Sequence, residues 1–197
     1  DVTPGEESLR LAAETGREAA GVQLILDEST AILRATPAAI IARHRTGHVL
    51  ANAGIDASNV EGGEEDTVLL WPIDPDASAR SIRAKLRALT GAAPAVVIAD
   101  SMGRAWRIGT VGSAIGCAGL AVLEDRRGKG TDLFGRTLQA TIIAVADAIS
   151  GAAVLAMGEG AEGTPAAVVR GAARWITPDD GPGAVKGLRT LAEDMFR

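Results

Sequence analysis

The spacing of apolar residues in the first third of the chain changes from that of helices to that of strands. A helix is predicted over Glu6 to Arg17, because two glutamates stand in its first turn, where the helix dipole favours negative charge. Apolar residues recur at helical spacing from Val22 to Arg34, which predicts a second helix. Ala38 to Arg43 and His48 to Ala51 flank a Thr-Gly pair, and this pattern is typical of a β-hairpin.

The middle of the chain predicts strands that alternate with loops and one helix. Gly54 to Glu65 is rich in glycine and acidic residues and predicts a loop, and Val68 to Trp71 predicts a short strand. Asp76 is predicted to be the N-cap of a helix with apolar residues at helical spacing. The apolar run Pro94 to Ala99 predicts a buried strand, with Asp100 at its end.

The final part of the chain combines glycine-rich segments with apolar stretches. Arg107 to Glu124 predicts strand and loop, and Asp132 is predicted to cap a long helix from Leu133 to about Ser150. The apolar stretch Thr141 to Gly158 predicts a buried helix that runs into a strand, and Leu188 to Arg197 predicts a closing helix. Strands and helices therefore alternate irregularly, and we expect an α+β fold rather than a regular doubly wound sheet.

The composition excludes several classes of protein. The 197 residues suffice for a buried core, and 20 basic against 25 acidic residues give a net charge of −5. Such an acidic chain, with three Trp, two Phe and no Tyr, lacks the basic surface and repeated aromatic residues typical of nucleic-acid binders. Asp147 lies at the centre of the apolar stretch and would cost about 3 kcal/mol inside a bilayer. We therefore expect neither nucleic acid nor a membrane as a partner.

Cysteine and histidine usage favours structural over chemical roles. The single cysteine, Cys117, excludes an internal disulfide and stands among small residues. A buried small hydrophobic residue is the favoured interpretation over a catalytic thiol. His44 and His48 flank the Thr-Gly turn, and we expect both on the outside of the hairpin. Because the chain opens on polar, acidic residues and carries one cysteine, we expect no signal peptide and a cytoplasmic location.

Two segments carry side chains suited to a divalent cation. Ala51 to Asn59 follows a predicted strand and combines amides with the carboxylate of Asp56, which are oxygen ligands that hard cations prefer. A plain Asx turn is the alternative. Asp100 and Ser101 pair a carboxylate with a hydroxyl at the end of a predicted strand, where sites in open α/β sheets usually lie. The alternative there is an aspartate that caps the next turn.

Arginines and glycines supply candidate phosphate-binding groups. Arg104 and Arg107 follow the Asp-Ser pair, and a guanidinium can bind phosphate through two hydrogen bonds; the alternative is that both arginines face solvent. Met157 to Pro165 exposes glycine N–H groups that can surround a phosphate, with a hairpin loop as the alternative. Arg126 to Asp132 lacks the spacing of a P-loop, and a solvated charged loop is favoured. The residues alone thus predict a site for divalent metal and phosphate.

A series of motifs follows the order of one known family. They are Ala51–Asn59, Asp74–Ala79 with Ile82-Arg83, Asp100–Arg107, Ala114–Gly116 with Ala118-Gly119, Asp132–Arg136, Met157–Pro165 and Glu193–Arg197. In these motifs the chain resembles the coenzyme F420-0:L-glutamate ligase family, also called F420-0:gamma-glutamyl ligase. One such loop would not be specific, whereas matches in order over nearly the whole chain are.

The resemblance implies a ligase that uses GTP and divalent metal to add L-glutamate to the lactyl carboxylate of F420-0, a deazaflavin coenzyme precursor. Asp56 and Asp100 match the ligands of a first metal ion, and Ser101 and Glu159 match those of a second, both Mg²⁺ or Mn²⁺. Asn59 matches a position that contacts GTP. The other GTP-binding positions form one loop, made of Met157, Gly158, Glu159, Gly160, Ala161, Glu162, Gly163 and Thr164. A monovalent cation such as K⁺ is a further implied cofactor.

The resemblance also implies an uncommon mixed α/β fold in an intertwined homodimer, with residues 1–197 forming one F420-0:gamma-glutamyl ligase-like domain. Family members begin with roughly fifty more residues, which include a Lys and a backbone loop at GTP, and we expect this chain to lack that segment. Two positions depart from the family pattern. Ser101 replaces the usual Thr and keeps its hydroxyl, and Trp71 stands where Leu is expected.

The implied reaction proceeds through an acyl phosphate. The substrate carboxylate attacks the γ-phosphate of GTP, and the glutamate amine then displaces phosphate, so catalysis depends on positioning and on neutralising charge. Arg104 and Arg107 are predicted to be the catalytic groups that hold the substrate's phosphodiester or the leaving phosphate. Two other functions stay open at this point: a non-catalytic nucleotide- and metal-binding module, and a metal-dependent phosphohydrolase in which water replaces glutamate.

Overall fold

The structure, a computed structural model, describes residues 2–60 and 67–194 and divides them into two compact units. The first unit contains the described residues up to Ile73 together with Met102–Thr110. The second contains Asp74–Ser101 and the described residues from Val111 onward. Residues 61–66 of the predicted loop Gly54 to Glu65, and residues 195–197 of the closing helix and motif, lie outside the described residues. One ligase-like domain over residues 1–197 stays a prediction.

Two helices and a three-stranded antiparallel sheet form the first unit. They are α1 (Glu6–Thr15), α2 (Ala19–Asp27), β1 (Ser29–Ala35), β2 (Ile40–His44) and β3 (Val49–Ala51), with sheet order β1-β2-β3. Gly16 ends α1 in the left-handed conformation, with φ 68°. The buried core of this unit consists of Leu11, Ala12, Val22, Ile25, Ile40, Ala42 and Ala53. The predictions of the first helix and of the hairpin are confirmed.

The second predicted helix is wrong in its C-terminal half. α2 ends at Asp27, and Ile32 and Leu33 lie in strand β1. β1 pairs with β2 along its whole length, with register shifts at two points. Apolar residues at this spacing are compatible with a helix or with an irregular strand. The segment forms a strand because it pairs with the hairpin.

Both histidines of the hairpin are buried, so their expected position on its outside is wrong. The exposed fraction is 0% for His44 and 5% for His48. Their rings lie against the indole of Trp71, which is distant in sequence. The local pattern of the hairpin contains no sign of this long-range contact.

The second unit contains two helices, part of one strand pair and the whole of another. The helices are α3 (Pro75–Thr90) and α4 (Val145–Met157), and the strand pairs are β4 (Val96–Arg104) with β5 (Arg107–Ala118), and β6 (Leu123–Asp125) with β7 (Ile142–Ala144). The buried core of this unit consists of Ala114, Cys117, Leu120, Val122, Val145, Ala146 and Ala184. Burial raises the pKa of the Cys117 thiol to about 12, and its interpretation as a buried small hydrophobic residue is confirmed.

Asp74, and not Asp76 as predicted, caps helix α3. Asp74 Oδ1 accepts a hydrogen bond from Ala77 N at 2.8 Å, because the proline between the two aspartates occupies the first helical position. Asp76 is instead buried, and its Oδ1 accepts hydrogen bonds from the backbone N–H groups of Cys117 at 2.8 Å and Ala184 at 2.7 Å. A buried carboxylate of α3 thus joins strand β5 to a distant segment near the end of the chain.

Arg83, on the same helix, fixes a segment that has little regular structure. It is buried, and it donates to the backbone carbonyls of Pro94 at 3.1 Å, Thr177 at 3.0 Å and Asp179 at 2.9 Å. It also donates to Asp180 Oδ1 at 2.8 Å. The side chain of Arg83 therefore provides hydrogen bonds to backbone carbonyls that lie outside regular helices and sheets.

The long helix predicted from Leu133 to Ser150 does not form. Asp132 Oδ1 accepts hydrogen bonds from Phe134 N at 2.8 Å and Arg136 N at 2.9 Å. This turn competes with a helix for the same backbone groups. The chain then forms β7 and runs directly into α4, which reverses the helix-to-strand order predicted over Thr141 to Gly158.

Where a helix was predicted from Leu188 to Arg197, the described residues contain a short 3-10 helix, Leu191–Glu193, and another, Ala184–Gly187, lies just before this stretch. The loop Arg126 to Asp132 is largely exposed, as expected for a solvated charged loop. Helices and sheets are mixed in the molecule, which confirms the α+β class. Among the described residues, every helix is too short or too polar to cross a bilayer.

Candidate functional site

The segment Asn52–Asn59, which we call the Asp56 loop, turns sharply after strand β3. Asn52, Ala53 and Gly54 have left-handed φ angles of 52°, 53° and 73°. Ala53 is buried in the core, and Asn52 Oδ1 accepts a hydrogen bond from Ile40 N at 3.2 Å. Two non-glycine residues in this conformation cost energy, and the surrounding contacts hold them there. The beginning of the loop is therefore fixed to strand β2 and to the core.

Asp56 presents an oriented carboxylate on the surface. Its Oδ1 accepts hydrogen bonds from Ser58 N at 2.7 Å and Ser58 Oγ at 2.6 Å. Its backbone forms a bridge with Leu69, with N···O distances of 3.1 and 2.7 Å, and the predicted strand Val68 to Trp71 is reduced to this bridge. The local arrangement is an Asx turn, as the alternative interpretation holds. An exposed carboxylate in a fixed turn also suits a hard cation.

An aromatic cluster that sequence reasoning missed lies next to the Asp56 loop. The centroid of Trp71 is 4.7 Å from that of His44 and 5.2 Å from that of His48, which meets the indole edge-on. A Cβ at Gly54 would lie 2.5 Å from Trp71 Cε2, so the indole fills the space that a side chain there would need. No local sequence signal indicates this cluster, because Trp71 is distant in sequence from both histidines.

Hydrogen bonds on both sides fix the ring of His44. Its Nδ1 accepts from Thr46 N at 3.2 Å and lies 2.8 Å from Thr46 Oγ1, while its Nε2 lies 3.2 Å from Glu28 Oε2. These partners suit a neutral imidazole that donates from Nε2 to Glu28. Burial lowers the pKa of His44, Glu28 opposes this effect, and Arg45 adds to it. The neutral ring is a rigid surface on which Trp71 packs.

Asp100 and Ser101 lie inside strand β4 rather than at its end as predicted. The strand continues to Arg104, because β5 pairs with it beyond the Asp-Ser pair. Asp100 Oδ1 accepts a hydrogen bond from Ser101 N at 2.8 Å, and both residues are half-buried. The alternative role of Asp100 as a cap for the next turn is wrong, because the residues that follow it are extended.

Arg104 and Arg107 flank the two-residue turn that joins β4 to β5. Trp106 in this turn has a left-handed φ of 62°, and both arginines are exposed. Arg104 Nη2 donates to Ile108 O at 3.4 Å, which is long for a hydrogen bond. The guanidinium groups are accessible to a phosphate, and their catalytic role stays a prediction.

Residues Met157–Thr164, which we call the glycine loop, begin at the last residue of α4. Gly158 N donates to Val154 O at 2.9 Å and ends the helix. Glu162 Oε2 accepts a hydrogen bond from Gly160 N at 2.8 Å, and a Cβ at Gly158 would lie 2.6 Å from the same oxygen. All residues of the loop after Gly158 are exposed. The alternative interpretation as a hairpin loop is wrong, because a helix precedes the loop.

The predicted metal ligands are divided between the two units. Asp56 belongs to the first unit, whereas Asp100, Ser101 and the exposed Glu159 belong to the second. Over residues 2–60 and 67–194, no three His, Cys, Asp or Glu side chains gather into a group that could hold a metal ion. Carboxylate and hydroxyl oxygens are the ligand types that Mg²⁺ and Mn²⁺ prefer, so the chemistry of the donors fits these ions.

Comparison with known proteins places the chain in a family. It matches the model of the family described as F420-0:Gamma-glutamyl ligase over residues 1–171. A Methanopyrus kandleri protein named coenzyme F420:L-glutamate ligase is 42% identical over 198 residues, which cover 100% of this chain and 77% of the relative. Proteins of the same name from Methanothermobacter thermautotrophicus (43%) and Methanocaldococcus jannaschii (41%) align over 197 residues, 100% of this chain and 76% of each relative. The chain belongs to the F420-0:gamma-glutamyl ligase family.

Proposed function

We propose that this protein joins L-glutamate to the carboxylate of F420-0 in coenzyme F420 biosynthesis, using GTP and divalent metal. The observation that carries the proposal is similarity along the full chain to relatives named coenzyme F420:L-glutamate ligase. The family match over residues 1–171 includes the Asp56 loop, the pair Asp100 and Ser101, and the glycine loop. These three segments carry the oxygen and N–H groups that a metal–nucleotide complex requires.

The metal ligands in this proposal are Asp56, Asp100, Ser101 and Glu159, for two ions of Mg²⁺ or Mn²⁺. When bound, such ions supply positive charge that offsets the charge of a phosphoryl group in transfer. Ser58 keeps the Asp56 carboxylate in one orientation through its two hydrogen bonds. The hydrogen bond from the N–H of Ser101 likewise orients the carboxylate of Asp100. Both carboxylates are thus oriented by bonds within one or two residues.

The nucleotide contacts in this proposal come from Asn59 and from the glycine loop. Backbone N–H groups of a glycine-rich loop can donate to phosphate or base without a side chain in the way. The Gly160 N–H donates to the Glu162 carboxylate at 2.8 Å, which supports a role for this loop in donating to anionic oxygens. Arg104 and Arg107 add exposed cationic donors that suit phosphate oxygens.

The reaction that we propose has two steps. An oxygen of the F420-0 carboxylate attacks the γ-phosphorus of GTP, the bond to the β,γ-bridging oxygen breaks, and GDP leaves. The amine nitrogen of glutamate then attacks the acyl carbon, phosphate leaves, and the amide nitrogen loses a proton. Neither step requires a side-chain nucleophile, so the work of the protein is to position the reactants and to stabilise charge.

We also propose that the protein is a homodimer, intertwined as the family resemblance implies. Trp106 and Ile108, at the outer end of β4 and β5, are almost fully exposed. Large apolar side chains on an exposed strand pair suit burial against a second copy. Light scattering at micromolar concentration tests this: the wild type is expected as a dimer and the variant Ile108→Asp as a monomer. A monomeric wild type would contradict the proposal.

The activity is tested by incubating the protein with F420-0, GTP, Mn²⁺ and L-glutamate and measuring the masses of the products. A glutamylated F420-0, formed with one GDP per amide bond, supports the ligase. GDP release at the same rate without glutamate would support a phosphohydrolase instead. Tight binding of nucleotide without any turnover would support a non-catalytic module.

Two matched variants connect the activity to Asp56. Asp56→Asn keeps the size of the side chain but removes the charge that holds a cation, and product formation should fall roughly 10- to 100-fold. Asp27→Asn makes the same change at an exposed aspartate at the end of α2, and it should behave as wild type. Equal activity of both variants would remove Asp56 from the metal site.

A further inference from the structure

The Asp56 loop is held in place by the segment Leu69–Ile73 on its other side. The backbone of Leu69 forms both hydrogen bonds of the bridge with Asp56, at 3.1 and 2.7 Å. Two residues further on, Trp71 occupies the space next to the Cα of Gly54. The loop therefore meets this segment at two points, one on its backbone near the carboxylate and one at its left-handed turn.

The segment Leu69–Ile73 is itself fixed to the hairpin. Trp71 is only 8% exposed and rests on the rings of His44 and His48. Arg45 Nη1 donates to the carbonyl of Ile73 at 2.7 Å, and Arg45 Nε donates to Glu28 at 3.0 Å. The hairpin thus supplies a rigid surface, and the position of Asp56 depends on how Trp71 sits on that surface.

We propose that Trp71 is a positioning residue, which transmits the rigidity of the two buried histidines to the Asp56 loop and so sets the metal affinity of Asp56. This inference rests on the proposed role of Asp56 as a metal ligand. Trp71 is buried, and in this proposal it affects Asp56 through the loop that it contacts. Gly54 is part of the same device, because the absence of its side chain leaves room for the indole against the turn.

The test compares Trp71→Ala with Trp175→Ala, the same change at a half-buried tryptophan of the second unit. Hydrogen exchange of the metal-free protein is measured at the amides of Asp56 and Leu69, together with the affinity for Mn²⁺ alone. In Trp71→Ala, both amides should lose protection while the amides of strand β2 keep theirs. The affinity for Mn²⁺ should fall about 10-fold. Trp175→Ala should change neither readout.

A folded Trp71→Ala protein with wild-type protection at Asp56 and Leu69 would overturn the proposal. The proposal would also be overturned if Trp71→Ala lost protection but kept the wild-type Mn²⁺ affinity while Asp56→Asn lowered that affinity. Unchanged affinity in Asp56→Asn would contradict the metal role of Asp56, while lost protection in Trp71→Ala would still support the hold of Trp71 on the loop. If Trp71→Ala fails to fold, Trp71→Phe keeps the test, because its smaller ring should give a partial loss of protection.

Discussion

The Asp56 loop and the glycine loop carry similar polar groups, but different kinds of contact hold the two loops in place. The Asp56 loop is fixed by buried Ala53, by the bridge with Leu69 and by the indole against Gly54. In the glycine loop, the bonds from Gly160 N and Thr164 Oγ1 to Glu162 lie within the loop itself. The Asp56 carboxylate is thus held by contacts with other parts of the chain, whereas the glycine loop has mainly its own hydrogen bonds. If the glycine loop binds nucleotide as proposed, we expect it to gain order on binding.

Alanine substitutions at two glycines that share a left-handed conformation should have the largest effects on the two loops. Gly54→Ala places a Cβ 2.5 Å from Trp71 Cε2 at φ 73°, and it should lower the free energy of unfolding by about 2–5 kcal/mol. Gly163→Ala, at φ 63° with open space around it, should cost about 1–2 kcal/mol from the backbone conformation alone. Urea unfolding of both variants measures the difference.

Equal losses for the two variants would mean that the indole yields to the added methyl group. The rigidity attributed to the Asp56 loop would then be absent. The double variant Gly54→Ala with Trp71→Phe provides a control, because a smaller ring leaves more space for the methyl group. It should be destabilised by less than the two single changes together.

Local patterns predicted much of this fold, but they missed contacts between residues distant in sequence. The first helix was predicted from the two glutamates of its first turn, and the hairpin from the Thr-Gly pair between two segments. Strand β1, after α2, was not predicted, because its apolar spacing also suits a helix. It is a strand because it pairs with β2. The roles of Asp74 and Asp76 were exchanged, although the proline between them indicates which one can cap a helix.

For the candidate site, motifs were more informative than periodicity. The Asp56 loop, the Asp100 and Ser101 pair and the glycine loop were all found from residue types and family resemblance. The support from Trp71 and His44 was not found, because no local pattern records that a distant indole covers a turn. Asp100 was placed at a strand end, since the polar residues after it hide the continuation of β4 to Arg104.

Two substitutions at the half-buried Ser101 test its proposed role as a metal ligand. A hydroxyl can bind a cation and a methyl group cannot, so Ser101→Ala should lose activity by about 10- to 100-fold, whereas Ser101→Thr should keep most of it. Turnover and melting temperature are measured on the same preparations. A lowered melting temperature with full turnover of Ser101→Ala would instead assign the hydroxyl a purely structural role.

The support under Trp71 should weaken in mild acid. The pKa of His44 is lower in the folded protein than in the unfolded chain, chiefly through burial. Its contribution to stability is therefore complete above the unfolded pKa of about 6.5 and is lost as the pH falls toward the folded value. Urea unfolding should show this decline, and it should be smaller in His44→Gln. An equal decline in that variant would show that His44 is not its source.

Hydrogen exchange of the two loops, with and without Mn²⁺ and a non-hydrolysable GTP analogue, tests the contrast between them most directly. The amides of Asp56 and Leu69 should be protected in the ligand-free protein and change little when the nucleotide binds. The amides of residues 159–163 should exchange rapidly without nucleotide and slowly with it. Slow exchange of the glycine loop in the free protein, or protection of the Asp56 loop only after nucleotide binds, would contradict the account.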